Sequence, residues 1–152
     1  MHDGNPQPSL VCCPDAPPAE ERFCRLFAET AGILGVPVAA AAPVTRQWLL
    51  SFDGQAFSII VKEAASDAGV IIVQDFGIVP ENDACSVGMR MHHLNFNNCL
   101  GGRRRSFPLF SVDPNTQSAV LMEYLELEAL NGVLLLYRIR EMAAFARTFG
   151  QT

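Results

Sequence analysis

Apolar positions recur at helical spacing soon after residue 18. Phe23, Leu26, Phe27, Thr30, Ile33 and Leu34 share one side, and Glu21, Arg22, Arg25 and Glu29 take the other. The pattern predicts an amphipathic helix of about four turns starting at Ala19 and ended by Gly35 and Pro37. The period then shortens to that of a strand. Gln47–Phe52 and residues 56–62 read as strands around Asp53-Gly54, a two-residue hairpin signal. Residues 69–76 read as a third strand. Three strands on short connections predict an antiparallel meander.

Residues 83–99 predict a second helix with an unusual distribution. Cys85, Met89, His92, Phe96 and Cys99 form one stripe, and Val87, Met91 and Leu94 lie roughly opposite. Ser86, Arg90, His93 and Asn97 fall between as a polar stripe. A helix with two apolar faces wants two partners: its own sheet, and a further element or a second copy of the chain. Gly101-Gly102 ends it. Residues 106–112 read as a strand whose Pro108, lacking an N–H, places it at an edge or a bulge. Asp113-Pro114-Asn115-Thr116 is a turn, residues 118–127 return as a fifth strand, and residues 128–149 close the chain as a helix. Leu130, Val133, Leu134, Tyr137 and Phe145 share one side of that helix, with Leu135, Ile139 and Met142 beyond it. The order α-β-β-β-α-β-β-α predicts an α+β domain with a twisted antiparallel sheet.

Length and composition narrow the function. A chain of 152 residues with 49% apolar and 18% charged side chains fits one domain with a real core. Residues 1–18, with Pro6, Pro8, Pro14, Pro17 and Pro18, read as a flexible leader, and residues 19–150 as the domain. A net charge of −5 argues against a general nucleic-acid or anionic-membrane binder. No apolar run reaches a membrane span, and no secretory signal opens the chain. Five cysteines without a CxxC pair fit reduced thiols in a cytoplasm. Cys24, Cys85 and Cys99 read as small hydrophobes in helical patterns, and Cys12-Cys13 receive no role.

Candidate chemistry is sparse. Adjacent His92-His93 point about 100° apart on a helix and cannot share a metal; one is expected at a packing face, the other in solvent. Glu123, Glu126 and Glu128 read as a solvated strand face, since nothing supplies a second pole for acid–base work. Gly101-Gly102-Arg103-Arg104-Arg105 closes a helix instead of opening one, which is wrong for a phosphate cradle. It reads as a solvated basic loop or a contact for an acidic segment of a protein partner. No nucleophile motif or dinucleotide fingerprint is present. No cofactor and no enzymatic activity are expected.

Several strings, taken in order, resemble the class I chaperones of type III secretion, the Tir-chaperone (CesT-like) family. Met91-His-His-Leu94-Asn95-Phe96-Asn-Asn-Cys-Leu-Gly101-Gly102 resembles that family's Leu-Asn helix end followed by Gly. Phe110-Ser-Val112-Asp113-Pro114-Asn-Thr-Gln-Ser-Ala-Val120-Leu121 resembles its strand, Asp-Pro turn and returning strand, and Leu125-Glu-Leu127 with the closing helix completes the set. The resemblance implies a cytoplasmic homodimer in a Gram-negative bacterium, contributing to virulence. It would hold the N-terminal segment of a secreted effector in extended form and help present it to the export ATPase. Phe23, Phe27, Trp48, Leu50 and Phe57 are the candidate effector contacts. Cys85, Met89, His92 and Phe96, extended by Phe107, Leu109 and Phe110, are the candidate dimer seam. The alternatives are a small module binding an apolar small molecule, an enzyme, or a regulatory relative binding a transcription factor.

Overall fold

The structure, a computed structural model, describes residues 19–35, 47–63, 68–101 and 107–150. The Pro-rich leader, the connector 36–46 and the arginines 103–105 lie outside the described residues. The elements run α1 (Ala19–Leu34), β1 (Gln47–Phe52), β2 (Gln55–Glu63), β3 (Ala68–Ile78), α2 (Ala84–Gly101), β4 (Leu109–Val112), β5 (Ser118–Glu126) and α3 (Gly132–Gly150). The five strands form one antiparallel sheet in the order β1-β2-β3-β5-β4. The fold class is the expected α+β arrangement. The meander holds for β1–β3, and β5 then inserts between β3 and β4.

Local chemistry sets the boundaries. Asp53 and Gly54 both have positive φ, at 52° and 73°, as a type I′ hairpin turn requires. Pairing on β4 begins at Leu109, directly after Pro108. The closing helix starts later than its apolar pattern suggests. A 3-10 turn at Leu127–Ala129 intervenes, and Asn131 caps α3 by accepting the Leu134 N–H at 2.9 Å.

One face of the sheet carries the core. Trp48, Ile59, Ile72 and Glu123 stand opposite one another across β1, β2, β3 and β5, and all four are buried. Phe27 of α1 meets Trp48 edge to face at a centroid distance of 4.4 Å. From α3, Phe145 and Phe149 pack on Phe110 at 5.0 and 4.8 Å. The α1–α3 crossing is close, since a Cβ on Gly132 would stand 3.0 Å from Glu29 Cβ. The reverse face carries a second continuous row, Leu49, Ser58, Val73, Met122 and Leu109, and its Leu49, Met122 and Leu109 remain exposed.

Three expectations are corrected. The buried stripe of α3 is Leu135, Ile139, Met142, Ala143 and Ala146, while Val133, Leu134 and Tyr137 face outward. The sheet needed a stripe only about as wide as these five, and the wider apolar pattern left the phase undecided. Glu123 is not solvated: it is buried and ion-paired with Arg138 of α3. Cys24, which read as a small hydrophobe in the α1 pattern, is exposed, as are Cys85 and Cys99 on α2.

Candidate functional site

The sequence directs attention to α2, and the structure shows how that helix is held. It lies along the outer edge of β4. The Asn95 carboxamide donates to the Phe110 carbonyl at 2.8 Å and accepts the Phe110 N–H at 2.8 Å. One helical turn on, Asn98 donates to the Pro108 carbonyl at 2.8 Å. Met91 shares this inward side and is 5% exposed. Val87 and Leu94 pack part-buried against the core beside it. On the polar stripe, Arg90 donates to the Phe149 carbonyl and lies over the Phe149 ring, 5.0 Å from its centroid.

With that side turned inward, the other apolar stripe faces out. Met89 is 69% exposed and Phe96 56% exposed. Cys85, His92 and Cys99 on the same stripe are exposed too. Leu100, at the end of the helix, adds further exposed apolar surface. His93 is also exposed and receives a hydrogen-bond contact from Asn97 at 3.0 Å. Within the protomer both His92 and His93 are exposed.

The rest of the candidate seam divides. Leu109 is exposed and Phe107 half-buried. Both line an open groove of about 690 Å³ beside Met122, Leu130 and Leu134. Phe110 is buried among Phe76, Phe145 and Phe149 and belongs to the core.

The candidate effector contacts cluster on α1, β1 and β2, as expected of one layer. Their side chains are committed elsewhere. Phe23, Phe27, Trp48, Leu50 and Phe57 are all buried in the core. Direct contact through them would require α1 to part from the sheet. The apolar residue that β1 presents to solvent is Leu49, between exposed Gln47 and Ser51; alternation turns it to the opposite face and leaves it 72% exposed. The sequence pattern named the strand but not which of its faces the helices would cover.

Among the described residues, no group of three or more His, Cys, Asp or Glu side chains could hold a metal. Among them, too, no helix is long and apolar enough to cross a membrane. The buried charges form a structural cluster: Arg138 pairs with Glu123 and donates to Glu141 at 2.8 Å.

Known structures share this arrangement. A chain of the HopA1–SchA chaperone–effector complex superposes with a TM-score of 0.68 at 9% identity, covering 91% of this chain and 100% of its own. A chain of the ExoT–SpcS complex from Pseudomonas aeruginosa superposes with a TM-score of 0.56 at 11% identity, covering 88% of this chain and 98% of its own. The fold is a secretion-chaperone fold. No family model matches the sequence, and no curated protein matches it. At 9% and 11% identity, the likeness to these two structures is one of backbone.

Proposed function

We propose that this protein is a homodimeric class I chaperone of type III secretion, of the Tir-chaperone kind. It would bind the N-terminal segment of a secreted effector in extended form and keep it competent for export. The observation that carries the reading is the combination of this fold with an apolar stripe that the protomer leaves uncovered on α2. Its work is binding, without catalysis or cofactor, in the cytoplasm of a Gram-negative bacterium.

Dimerisation follows from the α2 stripe. A twofold axis beside the helix sets Met89, His92, Phe96 and Cys85 against their own copies, and Leu109 and Phe107 on the adjoining strand widen the contact. Burying an exposed Met or Phe side chain contributes about 1.5–3 kcal/mol, and symmetry counts each contact twice.

Cargo is assigned to β1. Phe23, Phe27, Trp48, Leu50 and Phe57 build the layer that backs this strand on its α1 face, and Leu49 on the opposite face offers exposed apolar surface to an incoming chain. An extended segment gains main-chain hydrogen bonds along a sheet edge and places alternate side chains on apolar surface. Presentation to the export ATPase would follow capture. Coexpression with the product of a neighbouring gene, followed by affinity pull-down, tests the reading. A retained, soluble effector supports it. No retained effector from any such pairing, with the chaperone candidate soluble, contradicts it.

A further inference from the structure

The sheet ends on β1 and β4, and the two edges are treated differently. Phe110 gives its N–H and its carbonyl to Asn95, so it faces away from β5. Antiparallel alternation then puts Pro108, Phe110 and Val112 on the outward side of β4. Pro108 has no N–H, and its carbonyl is taken by Asn98. Of the outward main-chain groups from 108 to 112, only those of Val112, at the mouth of the turn, lie beyond the two carboxamides. On β1, every described strand pairing is with β2.

We propose that Asn95, assisted by Asn98, is a gatekeeper of the sheet edge: its carboxamide stands in for a sixth strand, excludes extended peptide segments from β4 and steers them to β1. A carboxamide is the one side chain that offers a donor and an acceptor side by side, as a peptide unit does. An uncovered edge strand invites pairing with another chain. The short strand, the edge proline and the two asparagines close this one. The same clamp fixes the roll of α2. Met91 lies about 40° from Asn95 around the helix and turns inward, whereas Phe96 and Met89 lie about 100° and 120° away and turn out. The steering of cargo rests on the chaperone reading; the closing of the edge does not.

The test needs only the purified full chain. The Phe110 amide is followed by hydrogen exchange in the wild type, Asn95→Leu and Asn95→Asp, with the Ile72 and Leu121 amides as internal references. A labelled synthetic peptide copying residues 118–126, the natural neighbour of β4, serves as the strand probe. In Asn95→Leu the Phe110 amide should exchange at least about tenfold faster, because edge amides are set by local opening. The references should stay unchanged, and the probe should bind and restore protection at Phe110. Asn95→Asp keeps the acceptor for the Phe110 N–H and should stay protected there. It remains informative if the leucine variant does not fold. Phe110 exchange unchanged in Asn95→Leu would overturn the proposal, as would a probe that binds β4 of the wild type equally well. Neither result depends on cargo, so failure here is distinguishable from failure of the chaperone reading.

Discussion

Met89 and Met91 stand two residues apart on α2 and face opposite environments: Met91 is 5% exposed and Met89 is 69% exposed. The contrast separates stability from assembly. Met91→Ala removes core packing and should cost about 2–5 kcal/mol in urea unfolding. Met89→Glu should leave the stability of the protomer unchanged and abolish the dimer in size-exclusion chromatography. Equal loss of stability in both variants would mean that α2 is buried on both sides within one chain.

The Glu123–Arg138 pair gives a second expectation. Arg138→Met strands a buried carboxylate and should destabilise by about 3–5 kcal/mol. Adding Glu123→Leu should recover most of that loss, since an apolar pair has no charge to desolvate. A double variant as unstable as the single one would show that the wider cluster with Glu141 sets the cost.

Gly69 and Tyr124 are coupled across β3 and β5. A Cβ on Gly69 would overlap the Tyr124 ring. Gly69→Ala should therefore destabilise by about 1–3 kcal/mol through overpacking. In combination with Tyr124→Ala the cost should shrink, a non-additivity of at least about 0.5 kcal/mol in a double-mutant cycle. Additive losses would place the strain elsewhere.

Cargo capture should depend on exposed apolar surface of β1. Leu49→Glu should reduce effector retention in pull-down while leaving the melting temperature and the emission of Trp48, the only tryptophan, as in the wild type. Retention unaffected by Leu49→Glu would move the cargo path off this face.

How far the sequence could be read follows from where its signals are local. The bounds of α1 and β1, the Asp53-Gly54 turn and the division of α2 into an inner Met91 side and an outer Met89–Phe96 side all come from spacing within a few residues. Pairing of β5 with β3 does not, because it joins Ile72 to Glu123 across a long stretch of chain. The burial of Glu123 depends on Arg138 arriving from α3, which no strand pattern announces. The candidate seam was legible in part: its α2 members are exposed, but Phe110 was claimed by Phe145 and Phe149. The candidate effector contacts were legible as one layer, not as a surface. Alternation alone does not say which face of a strand the helices choose. Asn95 and Asn98 carried a readable signal: two carboxamides three residues apart, followed by an edge strand marked by proline.

Sedimentation equilibrium of the full chain at micromolar concentration tests the central claim most directly. The account predicts a species of twice 16.6 kDa that falls to the protomer mass in Phe96→Glu. A wild-type protein that sediments only as a 16.6 kDa particle would contradict it.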